Sequence, residues 1–536
     1  MHRRFINGVA AAAVLFAAGS AAAQDFSAQR LSDEIRTIST DDFQGRYPGT
    51  DGERKTLDWL QAQYEAMGLA PGGPNGQWLQ VIDLKRFTPV ADAAKASWTG
   101  ADGQVHVLTP GTDITLRAAT NDGRASITNA ALVFAGYGIH APERGWDDYG
   151  DLDVTGKVVV VVAGEPDGDL FNGAYTTNYE SGAYKADEAK RRGALGVITI
   201  INAPPADRAW TRGVQGAGRT RTLAPGAADL EFSAAIHADT AKTLGLDMAV
   251  LASRLGSGDF RAADMAGMSV SLEVSETIET LRTHNLLAKI PGAKRPNETI
   301  IYSAHWDHVG VDEHAAGDDK IFNGAWDNAS GTIGVLEMAR QLKAAPAPDR
   351  TIVFAHMAAE EMGLLGAYAY AADPVYPLET TVADINIDML PLSGPTRDVP
   401  IFGKGQNSLE DDLQALAEKE GRYVSDDGQP DQGFYYRSDH FPFARVGVPA
   451  LMPWHGVDWV EGGKEAGWAA WKAKFGADYH QASDEWSADW DLRSAVENLT
   501  LLYRLGLQLA NSDEWPTWKP TSEFGQVRAA SDAARR

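Results

Sequence analysis

The stretch of sequence that decides the fold is IIYSAHWDHVG, residues 300–310. It opens with β-branched and aromatic residues, which is the pattern of a buried strand, and it continues with His305, Asp307 and His308. In an open α/β sheet, functional groups collect where the strands end. A His-x-Asp sequence at such an end can supply a metal ligand and a carboxylate that orients it, although a hydrogen-bonded turn has the same residues. The rest of the chain has to decide between these interpretations.

Helices and strands alternate on both sides of this stretch. Strand patterns cover residues 78–87, 285–290, 299–304, 351–357, 382–388 and 449–453. Helical spacing covers residues 28–39, 51–67, 330–344, 364–372, 408–421 and 492–510. Strands that alternate with helices of this length predict an α/β fold, in which helices sandwich a mixed, mostly parallel sheet.

The middle of the chain has the pattern of a separate small α/β domain, which we place at residues 120–277. Strand patterns at residues 130–139, 156–162 and 196–201 surround a charged helix at residues 184–193. Residues 24–119 and 278–515 then form the main domain together. The polar tail at residues 516–536 is expected to be disordered.

The composition excludes some classes of function. The 536 residues carry a formal net charge of −25, which argues against nucleic acid or an anionic membrane surface as a partner. The chain has no cysteine, so disulfides and thiolate metal sites are excluded. A zinc site in this chain would have to use histidine and carboxylate ligands.

The N-terminus has the pattern of a secretory signal peptide, residues 1–23. Basic residues 2–4 precede an apolar segment at residues 9–18, and the alanines at residues 21–23 suit cleavage after Ala23. The apolar segment is short for a membrane span. We therefore expect a secreted or periplasmic protein without a membrane anchor.

Polar side chains follow the strands of the C-terminal region and are candidates for one shared site. They are His305, Asp307, Asp327, Glu360, Glu361, Asp388 and His480. Imidazole and carboxylate groups suit zinc, and a shared carboxylate can bridge two ions. Adjacent residues of an extended loop point in different directions, so one of Glu360 and Glu361 can bind metal while the other faces a water molecule.

The motifs that carry these residues resemble those of the M28 family of zinc peptidases, which includes the bacterial leucyl-type aminopeptidases. In chain order they are SAHWD (303–307), GAWDNASG (324–331), EEMGLLG (360–366), NIDM (386–389) and YH (479–480). The resemblance covers residues 285–510 and also the segment 42–68. The middle region looks like a protease-associated domain, through FAGYGI (134–139), GKVV (156–159) and RGALGVI (192–198). The resemblance thus implies the zinc-peptidase fold, which is phosphorylase/hydrolase-like, with an inserted protease-associated domain.

The same resemblance implies two zinc ions that are bridged by Asp327. His305 and Asp388 would complete one metal site, and Glu361 and His480 would complete the other. His308 is expected to pack or to form a hydrogen bond rather than to bind metal.

Further roles around the metals follow from the resemblance. Glu360 would be the general base that takes a proton from the bridging water molecule and later passes it to the leaving amine. Asp307 would form a hydrogen bond with His305 and raise its basicity. Asp484 would be a supporting carboxylate, and the Asp327–Asn328 peptide bond would be cis.

A tyrosine three residues before the motif SDH (438–440) would stabilise the tetrahedral oxyanion. This places Tyr435 in that role, with Tyr436 as the competing candidate. A tryptophan-rich segment at residues 454–471 leaves two interpretations open, since its rings can wall an apolar pocket or pack a long loop.

The function that the resemblance implies is that of a secreted di-zinc exopeptidase, an aminopeptidase that removes N-terminal residues from peptide substrates. A carboxypeptidase or a glutaminyl cyclase of the same fold is the alternative among enzymes. A non-catalytic, receptor-like binding protein is the alternative from a different class. Cyclases of this fold usually keep one zinc and receptor-like relatives lose ligands, so a complete two-metal set favours hydrolysis. The residue preference and the oligomeric state stay open.

Overall fold

The computed structural model describes residues 26–171, 173, 175–202, 207–225 and 230–535. The predicted signal peptide, residues 1–23, lies outside these residues. Within the described ranges, no helix is both long enough and apolar enough to cross a membrane.

The helices are distributed over the whole of the described chain. They are α1 Ala28–Ile38, α2 Asp51–Ala66, α3 Gly182–Arg191, α4 Arg208–Ala217, α5 Ala238–Thr243, α6 Met248–Leu255, α7 Gly331–Ala344, α8 Leu365–Ala372, α9 Leu409–Lys419, α10 His440–Arg445, α11 Gly463–Asp478, α12 Arg493–Asn511 and α13 Gly525–Ala529.

The strands fall into an N-terminal, a middle and a C-terminal group. The first group is β1 Ala70–Pro71, β2 Leu79–Pro89, β3 Lys95–Thr99, β4 Val105–Leu108 and β5 Ile114–Ala118. The middle group is β6 Arg124–Phe134, β7 His140–Ala141, β8 Trp146–Asp147, β9 Val158–Val162, β10 Gly196–Ile201, β11 Arg221–Leu223, β12 Phe232–His237 and β13 Ala263–Ile290. The last group is β14 Arg295–His305, β15 Gly310–Val311, β16 Ile321–Phe322, β17 Arg350–Met357, β18 Thr381–Asn386, β19 Asp398–Pro400, β20 Tyr423–Ser425 and β21 Ala450–Leu451.

The main domain is built on the strand order β21-β18-β14-β17-β13. β14 runs parallel to both of its neighbours, β17 and β18, and β21 runs parallel to β18. β13 runs antiparallel to β17 and to β2. The structure therefore confirms the predicted α/β class and the mixed, mostly parallel central sheet.

The quoted stretch forms β14, and this strand is buried on both faces. Ile300 and Tyr302 pack in the core that α1, α2, α7 and α12 share, whereas Ile301 packs on the opposite face with Tyr370 of α8 and Phe443 of α10. Alternate side chains point to opposite faces of a strand, so a continuous apolar run fills both layers. Helices cover both faces of the sheet, as the sequence predicted.

One long strand, β13, connects the main domain to the inserted unit. Its residues 286–290 pair with β17, residues 276–286 pair with β2, and residues 263–275 pair with β6 and β3. The sequence predicted only residues 285–290 as a strand. The earlier part was missed because several of its side chains are exposed and its partners lie far away in the sequence.

The inserted unit begins earlier than the predicted boundary at residue 120. Its core includes Trp98, Leu108 and Ile114 together with Val158 and Ile198. β5 pairs with β12, and β3 pairs with β13. The predicted boundary is wrong because β3 to β5 are short strands whose apolar side chains pack on the inserted sheet.

The C-terminal tail is ordered up to residue 535, so the prediction of a disordered tail is wrong. Phe524 is buried, and the buried guanidinium of Arg528 donates to the carbonyl oxygens of Leu378 and Thr381 at 3.0 and 2.9 Å. These long-range contacts hold a polar segment that has no strong pattern of its own. The tryptophan-rich segment is also more regular than predicted, since Trp468 and Trp471 belong to α11.

Candidate metal centre

The five predicted metal ligands lie where the central strands and the neighbouring helices end. His305 is the last residue of β14, Glu361 follows β17, Asp388 follows β18, Asp327 lies in the turn Ala325–Ser330 before α7, and His480 follows α11. Because β14, β17 and β18 are parallel, their carboxyl ends meet at one edge of the sheet. The structure brings all five side chains together at this edge.

Asp327 lies between the two histidines. Its Oδ1 is 3.4 Å from Nε2 of His305, and its Oδ2 is 3.2 Å from Nε2 of His480. Asp388 Oδ1 is 3.3 Å from the first imidazole nitrogen, and Glu361 Oε2 is 2.9 Å from the second. The donor atoms therefore form two groups that share Asp327, one with His305 and Asp388 and the other with His480 and Glu361.

The spacing of these atoms fits zinc. Donor atoms that are about 2.0–2.1 Å from a tetrahedral zinc ion are about 3.4 Å from one another. In addition, Nε2 of His480 is buried and has no hydrogen-bond partner among the described residues, although it lies close to carboxylate oxygens of Asp327 and Glu361. A nitrogen lone pair between two carboxylates is a place where a cation fits.

The tautomer of His305 is set by its own loop. Its Nδ1 is 3.2 Å from the carbonyl oxygen of Asp307, which can only accept a hydrogen bond. Nδ1 is therefore protonated and donates to this carbonyl, and Nε2 is the nitrogen that would bind a metal ion beside Asp327 and Asp388.

The carboxylate of Asp307 has a different partner from the one predicted. Its Oδ1 is 3.8 Å from Nδ1 of His305, which is too long for a hydrogen bond. It accepts instead from the backbone N–H groups of Glu360 and Glu361 at 3.1 and 3.4 Å. Asp307 thus holds the segment with the two glutamates in place, and its contact with His305 runs through the backbone.

Other hydrogen bonds fix the remaining ligands. Ser438 Oγ donates to Oδ2 of Asp388 at 2.6 Å, and Asn386 Nδ2 donates to Ser438 Oγ at 2.7 Å. The carboxylate of Asp484 accepts from the backbone N–H groups of Trp326 and Asp327, both at 2.9 Å. Asp484 is a supporting carboxylate of the kind that the resemblance implied, and the Asp327–Asn328 peptide bond is cis.

His308 contacts a ligand without taking its place. Its Nδ1 is 2.7 Å from Oε1 of Glu361, whose other oxygen faces His480. The predicted hydrogen bond at this position is therefore present.

Arg46 is a supporting residue that the sequence did not reveal. Its fully buried guanidinium donates to the carbonyl oxygens of Ile38, Trp306, Asn323 and Gly324 at 2.6–3.2 Å. It therefore joins the segment before α2 to the two loops that carry His305 and Asp327. The motif contained no signal for this role, because every partner is a backbone group.

Three residues at the site have backbone angles that non-glycine residues seldom adopt. Ala359 precedes Glu360 and has φ 56°, Met389 follows Asp388 and has φ 59°, and His480 has φ 56°. Strained backbone of this kind persists where the surroundings fix it, and it concentrates at functional sites.

Burial changes the pKa of the carboxyl groups at this edge of the sheet. It raises the pKa of Glu360 well above its usual range, and the neighbouring charge of Glu361 adds to the shift while His305 opposes it. Burial also disfavours ionised Asp327, but the neighbouring imidazoles of His305 and His480 hold the pKa of that carboxyl below its usual range. Several carboxylates in a dry site repel one another, so bound cations would stabilise the arrangement.

A cleft opens at the site, and Tyr479 forms part of its wall. His305, Asp327, Glu360 and Asp388 line it from the metal side, and Phe402, Phe434, Arg437, Trp454 and Tyr479 are among its other walls. Tyr479 is the residue before His480, and their rings stack with centroids 3.9 Å apart. The sequence contained it in the YH motif, but we assigned it no role.

Tyr435, which we predicted as the oxyanion donor, does not line this cleft. Its ring packs on His440 and Phe524, and its buried hydroxyl has no hydrogen-bond partner among the described residues. The structure does not bring Tyr435 together with the candidate ligands.

The chain is similar to several proteins that are named aminopeptidases. The chain is 34% identical to mouse (Mus musculus) aminopeptidase NAALADL1 over 137 residues, which are 24% of this chain and 17% of that protein. It is 25% identical to leucine aminopeptidase 2 of Arthroderma otae over 428 residues, which are 78% of this chain and 70% of that protein. Among solved structures, the aminopeptidase from Aneurinibacillus sp. strain AM-1 is similar with a TM-score of 0.44 and 20% identity, over 91% of this chain and 95% of that chain.

One family model matches the part of the chain that carries the site. Residues 285–503 match the model of peptidase family M28, and they include all five candidate ligands and both adjacent glutamates. The match begins in β13 and ends in α12, so it covers the central sheet and the loops at its carboxyl edge. This part of the chain is similar to peptidase family M28, the family that its motifs resemble.

Proposed function

We propose that this chain is a zinc metallo-aminopeptidase that hydrolyses the N-terminal residue from peptides. The observation that carries the proposal is the position of Asp327, whose two oxygens face two different imidazoles, each with one further carboxylate beside it. This donor set suits two zinc ions. His305, Asp388 and Asp327 would hold one ion, and His480, Glu361 and Asp327 would hold the other.

Bound zinc would polarise the scissile carbonyl group and lower the pKa of a water molecule. Glu360 is the residue of this chain that would take the proton. Its Oε2 is 3.9 Å from Nε2 of His305, and its carboxylate lines the cleft close to both His305 and Asp388. Asp307 accepts from the backbone N–H of Glu360 and so fixes the main chain from which this carboxylate would accept the proton and deliver it to the leaving amine.

The preference for a free N-terminus is supported by relatives that are named aminopeptidases. Since the chain spans 17% of the length of the mouse relative, that activity is a proposal for this chain. Export after cleavage at Ala23 is also proposed, and N-terminal sequencing of the mature protein tests it. We further propose that the inserted unit is a protease-associated domain.

A substrate panel tests the activity. Aminoacyl p-nitroanilides with a free amine, the same compounds with a blocked amine, and N-blocked dipeptides with a free carboxylate are assayed with and without a chelator. We expect hydrolysis of the free-amine compounds alone, and loss of this hydrolysis with the chelator. Cleavage of only the N-blocked dipeptides would instead assign a carboxypeptidase.

Two neighbouring substitutions test the roles of the glutamates. Glu360→Gln should keep two metal ions per chain and lower kcat by about 10²–10⁴-fold, which is the usual contribution of general base catalysis. Glu361→Gln should lower the metal content itself, since it removes one charged ligand. Metal analysis by mass spectrometry and steady-state kinetics separate the two effects. Near wild-type activity of metal-loaded Glu360→Gln would remove Glu360 from the mechanism.

A further inference from the structure

A row of buried polar side chains leads from the interior of the main domain to the candidate ligand Asp388. Asp384 and Asn386 belong to β18, Ser303 belongs to the neighbouring strand β14, and Ser438 precedes α10. All four of these side chains are buried. Polar groups inside an apolar sheet are costly unless each donor meets an acceptor, so the direction of every hydrogen bond in this row matters.

The direction of these hydrogen bonds follows from the ligand end of the row. Ser438 Oγ is 2.6 Å from Oδ2 of Asp388, and an ionised carboxylate can only accept, so the single hydroxyl proton of Ser438 points there. The oxygen of Ser438 must then accept from Asn386, whose Nδ2 is 2.7 Å away. This fixes the orientation of the amide, and Oδ1 of Asn386 therefore faces Ser303.

Ser303 has one hydroxyl proton but two neighbouring oxygen atoms. Its Oγ is 3.1 Å from Oδ1 of Asn386 and 2.8 Å from Oδ1 of Asp384. An amide oxygen carries no proton, so Ser303 has to donate to Asn386 and to accept from Asp384. A neutral carboxyl group has a proton to donate, whereas an ionised one does not. The row of hydrogen bonds is therefore complete only when Asp384 is protonated.

The surroundings of Asp384 also favour its neutral form. Its Oδ2 is buried without a hydrogen-bond partner among the described residues, and this costs more for a charged carboxylate than for a neutral acid. Burial raises the pKa of Asp384 well above its usual range, while Ser303 opposes the shift and the carboxyl group of Asp439 adds to it. The phenol of Tyr370 on α8 is a further titratable group close to Asp384, and neither Asp439 nor Tyr370 can supply a positive charge.

We propose that Asp384 is a positioning residue of the metal centre, which donates a hydrogen bond to Ser303 as a neutral carboxylic acid and so orients the ligand Asp388. The inference rests on the zinc centre of the proposed function and adds a residue that acts on one of its two ions. Because Ser438 holds Oδ2 of Asp388, Oδ1 is left to face Nε2 of His305 at 3.3 Å. The ligand group that contains His305 depends on this row, and the other group has no part in it.

Zinc titration of the full chain, first freed of metal, tests the positioning role, with the two binding steps resolved by competition against a chelator. Asp384→Ala and Ser303→Ala should each weaken the binding of one zinc ion by about tenfold or more and leave the other within about threefold, because supporting residues contribute about 10–100-fold to metal affinity. Ser494→Ala should change neither affinity. It is the matched control, because Ser494 of α12 is an equally buried serine without a hydrogen-bond partner among the described residues.

Asp384→Asn separates a neutral carboxyl group from a charged one. The amide keeps a donor for Ser303 and changes no charge if Asp384 is neutral, so both zinc affinities should stay within about threefold of the wild type. The pH profile of kcat should also be unchanged, because only the loss of an ionised carboxylate would shift the pKa values at the metal centre. The infrared spectrum of the wild type minus that of Asp384→Asn, at neutral pH, should show the carbonyl band of a neutral carboxylic acid.

The outcomes separate this inference from the proposed function. Zinc affinities that Asp384→Ala and Ser303→Ala leave unchanged overturn the positioning role. Zinc binding by Asp384→Asn that is as weak as in Asp384→Ala, or a difference spectrum without the band of a neutral acid, overturns the neutral carboxyl group. If Asp384→Ala does not fold, Ser303→Ala and the infrared spectrum give the answer. If the wild type binds two zinc ions but cleaves no peptide, the aminopeptidase proposal fails, and the zinc affinities still test Asp384.

Discussion

Tyr479 and Tyr435, the two candidates for an oxyanion donor, differ in their surroundings. Tyr479 lines the cleft together with Glu360 and Asp388, and burial, followed by the charge of Asp327, raises the pKa of its phenol well above the usual range. It therefore stays protonated and can donate a hydrogen bond to a developing oxyanion. Tyr435 is buried among other rings, and its hydroxyl faces no polar partner in the described chain.

Tyr479→Phe should lower kcat by about 10²-fold, since the loss of one oxyanion donor costs about 10²–10³-fold. Tyr435→Phe should leave kcat within about threefold of the wild type, because no hydrogen bond is lost. Steady-state kinetics on a free-amine substrate, with the metal content of each variant measured, compare the two. The reverse order of effects would return the oxyanion role to Tyr435.

The elements around the site are connected by the segment between α1 and α2. Arg46 lies there and donates to four carbonyl groups, on α1 and on the two loops that carry His305 and Asp327. Burial lowers the pKa of its guanidinium to about 10, with the charges of Asp484 and Asp327 opposing the shift, so it remains a cation at neutral pH. A lysine has three donors on one atom and cannot span these four acceptors.

Arg46→Lys should therefore lower the free energy of unfolding by about 2–4 kcal/mol, since each unsatisfied buried polar group costs about 1–3 kcal/mol. It should also weaken zinc binding by about tenfold, because residues that hold metal ligands in place contribute at least this much to metal affinity. Urea denaturation and metal titration measure the two effects. Arg54→Lys on the exposed face of α2 is the control and should change neither quantity, and equal behaviour of both variants would contradict the role of Arg46.

Sequence patterns located the elements whose signal is local. The helix predicted at residues 492–510 is α12 Arg493–Asn511, and the strand predicted at residues 351–357 is β17 Arg350–Met357. Elements fixed by distant partners were missed, as the first half of β13 and the ordered tail show. The same division holds at the site, because His305, Glu361 and Asp388 end or follow strands. Arg46 and Asp307, in contrast, act through backbone groups that a motif does not display.

At the scale of the whole molecule, the buried carboxyl group of Glu523 lies between the inserted unit and the main domain. Glu523 precedes α13, and its Oε1 accepts from the backbone N–H of Asn178 at 3.1 Å, in the inserted unit. Arg144 of the inserted unit is 3.8 Å from Oε2, and the hydroxyl of Tyr436 is 3.5 Å from Oε1. Burial raises the pKa of Glu523 to about 8, while Arg144 and the N–H of Asn178 oppose the shift.

This raised pKa predicts the direction of a pH effect on stability. The folded protein keeps the proton up to about pH 8, whereas the unfolded chain releases it above its ordinary pKa of 4.5. The folded state therefore binds more protons between these two values, and this group's contribution to the free energy of unfolding falls as the pH rises. The contribution is fully present below pH 4.5 and is lost by about pH 8.

Glu523→Gln replaces the titrating group by a neutral amide and should remove this dependence. The variant should gain stability relative to the wild type between pH 5 and pH 8, by up to about 4 kcal/mol, because this interval spans about three pKa units of about 1.4 kcal/mol each. Urea denaturation of both metal-loaded proteins at pH 5, 6.5 and 8 gives the difference, in which the pH dependence of metal binding cancels. Glu418→Gln on the exposed face of α9 should show a constant difference. If the stability difference between Glu523→Gln and the wild type is also independent of pH, the carboxyl group titrates at its ordinary pKa. Its protonation then does not hold the inserted unit on the main domain.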